Sequence, residues 1–329
     1  MNSDPSATGD ARLFGVLVTY RQPAALPVTL RRIAEQSQPL SGLVVVDNDP
    51  SPATRAVVEA HAAGLGRLEY VASPENLGPA GGLAVGMERV LDHARPQDWI
   101  VLLDDGDPPQ WSTMLAELLA FGQAMRATDR RTAGVGLIGA RFDWASGRLV
   151  RPADSELDGP VAIDYIGGGQ FPLYLAEAVR RVGPFSAPLF FGCDDLEYGL
   201  RLRAAGYAVY AHGALWREER RRQGRLGLTV QPAAGVSEPS WRRYYSLRNL
   251  IAILRSSGNA RGALRVTVVT GLAVPALNLV RRPRLAARNL GLNARACLHA
   301  WTGRMGRTVE PAQPHAVPDL ARETRTRPA

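Results

Sequence analysis

The sequence predicts an α/β fold in which a mostly parallel β-sheet is flanked by helices. In the first hundred residues, apolar runs of strand length alternate with segments of helical spacing, which is typical of βαβ units. Polar and mostly acidic residues directly follow these apolar runs. Because ligands of open parallel sheets bind at the carboxyl ends of the strands, the same pattern predicts the edge of the sheet at which a ligand binds.

Eight elements in the first 126 residues follow this alternation. The apolar runs that predict strands lie at 13–20, 42–46, 68–72 and 99–103. Helical spacing predicts helices over 25–36, 54–63 and 111–126, and the glycine-rich turn 76–82 begins a further helix that continues to about residue 94.

The second half of the chain follows the pattern less regularly. Strands are predicted over 134–142 and 161–166, and helices over 175–182, 194–205 and 241–256. The basic segment 213–237, which is interrupted by glycines, is predicted to be a loop. Residues 306–329 are rich in proline, threonine and arginine, and they are predicted to be disordered.

Composition and charge restrict the class of protein. The chain has 329 residues with 46% hydrophobic and 21% charged residues, which is typical of a packed globular protein. The net charge is +8, and many arginines lie beyond residue 200, so an anionic partner is expected for the C-terminal half. The two cysteines, Cys193 and Cys297, form no disulfide framework, and residues 1–12 have no apolar signal core; both features favour the cytoplasm.

An anionic lipid surface, a pyrophosphate and nucleic acid all qualify as the anionic partner. The aromatic residues are not interleaved with the arginines as stacking platforms require, so nucleic acid is not expected. The apolar stretch 263–280 contains Arg265 and Pro275 and is shorter than the ~20 apolar residues of a membrane span. Two interpretations remain open, which are a helix at the surface of an anionic membrane and an ordinary core helix.

Two acidic clusters follow apolar runs and predict the chemistry. Asp104, Asp105 and Asp107 come after 99–103, and Asp194 and Asp195 come after 189–191. One cluster is expected to hold a metal and a phosphate, since Mg²⁺ and Mn²⁺ prefer oxygen ligands and usually share substrate phosphates. The other is expected to accept a proton from an attacking hydroxyl. For Asp194 and Asp195 there is also a purely structural interpretation, because carboxylates at a helix N-terminus stabilise the helix.

A series of short motifs occurs in a fixed order along residues 13–255. They are Val18-Thr19-Tyr20-Arg21, Val46-Asp47-Asn48, Asn76-Leu77-Gly78-Pro79-Ala80-Gly81-Gly82, Leu103-Asp104-Asp105, Phe190-Phe191-x-x-Asp194-Asp195-x-Glu197-Tyr198-x-x-Arg201 and Tyr244-Tyr245-x-x-Arg248-Asn249. The set resembles the family-2 inverting glycosyltransferases, which have the Rossmann-like GT-A fold, and in particular the bacterial rhamnosyltransferases and galactofuranosyltransferases. A Rossmann dehydrogenase is disfavoured because no Gly-x-Gly-x-x-Gly follows the first strand.

The resemblance implies a reaction and a set of roles. Asp195 would be the catalytic base and Asp194 would orient the acceptor, while the sugar is displaced directly from its nucleotide diphosphate. The donor would be of the dTDP-rhamnose or UDP-galactofuranose type, and the acceptor a glycan or polyprenyl-linked glycan of the cell envelope. The residues implied to bind the nucleotide sugar are Thr19, Tyr20, Arg21, Asp47, Asn76, Gly81, Asp104, Asp105 and Arg217.

The resemblance covers residues 13–255 and predicts a glycosyltransferase domain there. Composition and apolar pattern predict a flexible N-terminus over 1–12, a helical extension over 256–305, which would be membrane-associated on the first of the two interpretations above, and a disordered tail over 306–329. The protein would then be cytoplasmic and peripheral at the inner face of the cell membrane.

Two positions depart from the family pattern for a divalent metal. Gly106 stands where a third aspartate is common, and Arg217 stands where a histidine is common. Three explanations remain open. Asp105, Asp107 and His212 hold the metal after a loop shift; or Arg217 and its basic neighbours replace the charge of the metal; or catalysis has been lost, which leaves a binding or scaffold protein at the membrane.

Overall fold

The computed structural model describes residues 11–227, 240–279 and 283–311. The strands of these residues are β1 Leu13–Thr19, β2 Gly42–Asp47, β3 Arg67–Ala72, β4 Trp99–Asp104, β5 Thr132–Gly136, β6 Gly139–Asp143, β7 Arg148–Val150, β8 Pro160–Ile163, β9 Tyr165–Ile166, β10 Leu173–Leu175 and β11 Ala208–His212. Eight of them form one mixed sheet in the order β3-β2-β1-β4-β10-β5-β11-β8, and β7-β6-β9 form a smaller sheet.

Helices cover the faces of the large sheet and form the C-terminal part of the described chain. They are α1 Leu26–Ala34, α2 Pro52–Ala60, α3 Gly78–Leu91, α4 Met114–Thr128, α5 Ala176–Val182, α6 Asp194–Ala204, α7 Gly213–Arg222, α8 Trp241–Ser256, α9 Ala260–Arg265, α10 Val274–Leu277 and α11 Pro283–Thr302. A π-helical segment, Val266–Ala273, joins α9 to α10.

The predicted parallel half of the sheet is confirmed. Strands β3, β2, β1 and β4 pair in parallel, and β1 and β2 read as continuous apolar runs because helices cover both faces. Helix α3 approaches β1 closely through its glycines. A Cβ at Gly82 would lie 2.7 Å from Val18 Cγ1, and one at Gly86 would overlap Val16.

The second half differs from the prediction at two strands. The run 134–142 is two strands, β5 in the large sheet and β6 in the small one, and 161–166 is likewise divided into β8 and β9. Asp164 marks the second division; its buried carboxylate accepts a hydrogen bond of 2.5 Å from Phe142 N. Apolar periodicity cannot reveal a chain that passes from one sheet to another. Strand β10, which pairs antiparallel with β4 and β5, is too short to have been predicted.

The predicted loop 213–237 begins with a helix. His212 caps α7 by accepting a hydrogen bond from Leu215 N, and arginines near its C-terminal end pair with glutamates three residues earlier. Such i,i+3 pairs favour a helix in a segment that its polarity assigns to a loop. Residues 228–239 of this prediction, with 1–10 and 280–282, lie outside the described residues.

A second core joins the C-terminal helices to the sheet domain. Buried residues of α6 and α8 pack with Ala263, Val266, Ala296 and Cys297 in one cluster. The domain boundary predicted at residue 255 runs through this cluster.

The start of the predicted tail is packed against α8. Arg248 donates to Gly306 O at 2.7 Å, and the Tyr245 hydroxyl bonds Thr308 and Val309. The prediction of disorder is therefore wrong for 306–311. Its composition alone predicts no structure, but side chains distant in sequence form hydrogen bonds with its backbone and hold it in place. Residues 312–329 lie outside the described part.

Within the described residues, one helical stretch, Ala260–Leu277, is apolar and long enough to cross a membrane by length and composition. One third of it is buried, and the core helices of many soluble proteins meet the same criterion.

Candidate active site

A cavity of about 820 Å³ lies at the carboxyl ends of β1, β2 and β4. This volume is in the range of small-molecule sites. One side is lined by residues that follow these strands, among them Tyr20, Arg21, Asn48, Asn76, Asp104 and Asp105. The other side is lined by residues around the starts of α6 and α8, among them Phe190, Phe191, Asp194, Asp195, Trp241 and Arg242. The structure thus brings the two acidic pairs into the lining of one cavity.

Asp105 is the buried carboxylate of the sheet side. It accepts hydrogen bonds from Thr19 Oγ1 at 2.8 Å and from Tyr20 N at 3.1 Å, while Thr29 Oγ1 donates to its carbonyl oxygen at 2.8 Å. Burial raises the pKa of Asp105 to about 6; the neighbouring charge of Asp104 acts in the same direction, and the two hydrogen bonds oppose it. A cation next to this carboxylate would remove the cost of its ionisation. Thr19 therefore contributes to the site indirectly, through its hydrogen bond to Asp105.

Asp104 and the two residues after Asp105 form a tight turn. Asp104 is exposed, and its Oδ1 accepts a hydrogen bond from Gly106 N at 3.0 Å. A Cβ at Gly106 would meet only Asp104 Oδ1, at 3.7 Å. There is thus room for a side chain at this position. Asp107 lies at the far side of the turn, directly against Gly169.

The predicted set of three metal ligands is not brought together. His212 caps α7, and its ring lies 4.7 Å from the ring of Phe121. The described ranges contain no group of three or more His, Cys, Asp or Glu side chains placed to hold a metal ion. Asp104 and Asp105 still fit a cation that is shared with a substrate diphosphate, because Mg²⁺ is usually bound by one or two carboxylates plus phosphate oxygens. The raised pKa of Asp105 agrees with this arrangement.

Asp47 points away from the cavity, and its neighbour Asn48 lines it. The Asp47 carboxylate accepts from Tyr70 Oη at 2.7 Å and from Asp49 N at 3.0 Å. Asn48 Nδ2 donates to Gly78 O at 3.0 Å at the start of α3. The sequence analysis gave the binding role to Asp47 and none to Asn48, although Asn48 is polar and directly follows the same strand.

The other predicted residues of this side differ in their access to the cavity. Arg21 lines it, with a φ of +56° and a salt bridge of 2.6 Å to Asp49. Asn76 also lines it and accepts a hydrogen bond from Gly78 N at 2.8 Å, which forms the turn before α3. Gly81 is buried inside α3, where a Cβ would lie 2.7 Å from Leu77 Cβ. It packs the helix rather than facing the cavity.

Asp194 and Asp195 form the first turn of α6. Asp195 Oδ1 accepts a hydrogen bond from Leu196 N at 2.8 Å, and its side chain lies beside Gly167 and Gly168. Burial raises the pKa of both carboxyls, and their proximity raises that of Asp194 further. A carboxylate whose pKa is raised toward neutrality is a more effective base at neutral pH.

The structure does not place Arg217 at the cavity. Its guanidinium pairs with Asp158 at 2.6 Å and donates to Asp154 O at 2.7 Å, so it fastens a segment outside the cavity lining. Sequence reasoning missed Arg242, which does line the cavity and lies 5.3 Å from the ring centre of Trp241 and 5.5 Å from that of Phe191.

Comparisons with known proteins agree with the predicted family. Residues 16–125 match the family model for glycosyl transferase family 2. A segment of 105 residues is 38% identical to galactofuranosyltransferase GlfT1 of Mycolicibacterium smegmatis and covers 32% of this chain and 33% of that protein. A segment of 114 residues is 39% identical to GlfT1 of Mycobacterium tuberculosis and covers 34% of this chain and 36% of that protein. The matched segment thus spans about a third of the length of these relatives.

The fold is similar to that of a solved structure, GalNAc-T7 with UDP, GalNAc and Mn²⁺. The TM-score is 0.50 at 12% identity, over 74% of this chain and 48% of that chain. At this identity the likeness concerns the fold alone. The predicted GT-A-type sheet, mostly parallel and flanked by helices, is confirmed.

Proposed function

We propose that this chain is an inverting glycosyltransferase. Support comes from the match of residues 16–125 to the family model for glycosyl transferase family 2 and from the GT-A-type fold. The chain transfers a sugar from a nucleotide diphosphate to a hydroxyl group of a glycan acceptor. The observation that carries the proposal is the cavity that is lined both by Asp104 and Asp105, at the end of β4, and by Asp194 and Asp195, at the start of α6.

The donor binds on the sheet side of the cavity. Asn48, Asn76 and Tyr20 present polar groups and an aromatic ring there, and Gly78 has no side chain that would keep a nucleotide away from the backbone. Asp104 and Asp105 would hold a divalent ion together with the donor diphosphate. When bound, such an ion supplies positive charge that neutralises the leaving nucleotide diphosphate.

The acceptor binds on the side of α6. Its hydroxyl oxygen attacks the anomeric carbon, the bond from that carbon to the diphosphate oxygen breaks, and Asp195 takes the hydroxyl proton. A single displacement of this kind inverts the anomeric configuration. The raised pKa of the Asp194–Asp195 pair suits Asp195 to the role of base near neutral pH.

Arg242 is the cavity-lining cation that we assign to an anionic group of the substrates. The other arginine that lines the cavity, Arg21, is paired with Asp49. No described carboxylate lies within salt-bridge distance of Arg242, whose guanidinium rests against Phe191 and Trp241. A guanidinium can bind a phosphate through two parallel donors. Arg242 thus takes the role that the sequence suggested for Arg217.

The donor is of the UDP-galactofuranose type, with dTDP-rhamnose as the second donor to test. The similarity of 38–39% to two galactofuranosyltransferases supports the first choice. The acceptor is a polyprenyl-linked glycan at the inner face of the cell membrane. Support comes from the large exposed apolar side chains of α9, the π-helical segment and α10, which are Leu264, Val268, Val269, Leu272, Val274 and Leu277. Exposed arginines flank them, which suits an anionic bilayer.

The test measures release of nucleotide diphosphate from each donor, with and without membrane lipid extract as acceptor source. Asp195→Asn should lower transfer about 10²–10⁴-fold and keep UDP binding, because only the base is lost. Asp92→Asn, an exposed change at the end of α3, is the matched control and should leave transfer unchanged. Transfer by the Asp195→Asn variant at the wild-type rate would refute the assignment. Donor binding without turnover by the wild-type chain would instead favour a binding or scaffold protein.

A further inference from the structure

Helix α8 carries an arginine that is buried without an acidic partner among the described residues. Arg248 is fully buried, and its guanidinium donates to Leu189 O at 2.9 Å, Gly306 O at 2.7 Å and Thr308 Oγ1 at 3.0 Å. A longer bond of 3.5 Å reaches Pro188 O. Burying a cation is costly unless its donors are satisfied. An arginine that is buried against neutral oxygens alone therefore indicates that holding those oxygens in place matters to the protein.

Asn249, the next residue, binds the same segment of chain. Its Nδ2 donates to Leu189 O at 2.9 Å, Phe191 O at 3.0 Å and Gly192 O at 2.7 Å. Its Oδ1 accepts from Arg248 Nε at 2.9 Å, which fixes the two side chains relative to each other. Together they bind the carbonyl oxygens of four of the five residues 188–192.

The fifth carbonyl connects this segment to the donor side of the cavity. Phe190 O accepts a hydrogen bond from Ala80 N at 3.3 Å, in the first turn of α3. Phe190 also packs so closely on Gly78 that a Cβ there would lie 2.8 Å from Phe190 Cδ2. The segment 188–192 is thus fixed on one side by α8 and on the other by the turn that binds the nucleotide.

The backbone of this segment is strained. Phe190 has a φ of +63° and Cys193 a φ of +60°, which residues with side chains rarely adopt. Such conformations persist only where the surroundings enforce them, and they often occur at functional sites. Asp194 and Asp195 follow directly, so the strained turn sets where these carboxylates enter the cavity.

We propose that Arg248 and Asn249 are positioning residues for glycosyl transfer: they hold the turn 188–193 in the strained shape that places Asp195 against the bound donor. This inference rests on the proposed function. Neither side chain lines the cavity, so both act through the turn.

The segment 306–311, which we call the C-terminal strap, holds Arg248 in place from the other side. The Tyr245 hydroxyl accepts from Thr308 N and Val309 N, each at 3.0 Å, and donates to Val309 O at 2.7 Å. The strap supplies two of the oxygens that satisfy Arg248, and its last residue, Pro311, lines the cavity.

The experiment compares two arginines of α8 in the full-length chain. Arg248→Lys removes the planar fork that reaches several carbonyls, and Arg255→Lys is the matched control. Arg255 also donates to carbonyls, those of Ala300 and Trp301, but at the opposite end of the helix. With a base displaced by about 1 Å, kcat of the Arg248→Lys variant should fall about 100-fold, while the donor KM and the Kd for UDP change less than about twofold. Arg255→Lys should leave all three unchanged.

Tyr245→Phe keeps the proposal falsifiable should Arg248→Lys fail to fold. It removes one hydroxyl and keeps the ring, whose centre lies 4.9 Å from that of Phe190. We expect a smaller loss of kcat, about threefold to tenfold, again without a change in UDP affinity. A wild-type kcat in folded Tyr245→Phe protein would overturn the proposal, and so would a loss of UDP affinity as large as the loss of kcat.

Hydrogen exchange separates failure of this proposal from failure of the proposed function. If the wild-type chain turns over no donor, the amides of 189–196 still report on the turn. Faster exchange there in Arg248→Lys than in Arg255→Lys would support the positioning device even then. Equal exchange in the two variants would overturn it.

Discussion

Replacing Gly78 with alanine should damage both the stability of the chain and the donor side of the cavity. Gly78 has a φ of +69°, which costs a residue with a side chain about 1–2 kcal/mol. The added Cβ would lie 2.8 Å from Phe190 Cδ2 and closer still to the Phe190 carbonyl oxygen, and such overpacking costs about 1–3 kcal/mol. The carbonyl then loses its hydrogen bond from Ala80 N, which adds about 1 kcal/mol. The free energy of unfolding should therefore fall by about 3–6 kcal/mol.

A second glycine, Gly258, which lies just beyond the end of α8, separates the cost of the contact from the cost of the backbone conformation. Gly258 has a φ of +77°, and no heavy atom lies within 4 Å of an added Cβ. Gly258→Ala should cost only the conformational part, about 1–2 kcal/mol. Urea unfolding measures both variants, and a UDP titration measures the donor side. We expect UDP affinity to fall at least about tenfold in Gly78→Ala and to stay unchanged in Gly258→Ala, since 1.4 kcal/mol corresponds to a factor of ten.

Equal losses of stability in the two glycine variants would refute the reasoning. They would mean that Phe190 moves aside without cost and that the contact between Gly78 and the turn 188–193 does not fix either segment. Unchanged UDP binding in Gly78→Ala would show that the nucleotide does not bind next to this turn.

Three further predictions concern the proton, the metal and the membrane. Burial holds the pKa of Asp194 and Asp195 above the ordinary carboxyl value, and the neighbouring charge of Asp195 raises that of Asp194 further, so activity should fall as pH drops through this raised pKa. Asp194→Asn leaves Asp195 buried and should leave the acid limb of the kcat profile in place; a limb that moves to lower pH contradicts burial as the cause. Gly106→Asp, for which the turn has room, adds a third carboxylate and should raise the affinity of the chain for Mn²⁺ in the absence of nucleotide. Calorimetry measures this affinity, and Gly159→Asp, at another glycine with open space around it, is the control. The double variant Leu264→Asp with Leu277→Asp should no longer float with anionic vesicles. The control, Leu149→Asp with Val150→Asp, changes exposed residues of β7 and should float like the wild type. Equal flotation of both double variants would exclude the α9–α10 surface as the membrane-binding site.

The sheet side of the site could be predicted from the sequence because its residues follow the strands that position them. Tyr20, Asp104 and Asp105 come directly after β1 or at the end of β4, and parallel pairing brings these ends together. The same reasoning cannot decide which of two adjacent residues at a strand end has its side chain in the cavity. It selected Asp47, whereas the side chains alternate along the strand and Asn48 is the one that lines the cavity.

The prediction for Arg217 failed for a different reason. The position was chosen because it stands where the family pattern commonly has a histidine, but the sequence does not give the direction of the side chain. In the fold, Trp216 and Arg217 lie on α7, and the acidic segment 154–158 is close enough to pair with the guanidinium. A pairing across about sixty residues has no local signal.

The acceptor side depends almost wholly on such distant contacts, which explains why the sequence analysis assigned a role there only to its two carboxylates, although the motif that contains Arg248 and Asn249 was visible. Their turn is strained, and no propensity favours a phenylalanine and a cysteine at positive φ. The shape is imposed by Arg248 and Asn249, about sixty residues later, and these are completed by the strap after α11. The polar partners that make the turn possible also connect it, through Phe190 O and Ala80 N, to the helix that begins the donor side. The second core of the protein, which supplies these partners, is therefore as much a part of the active site as the sheet.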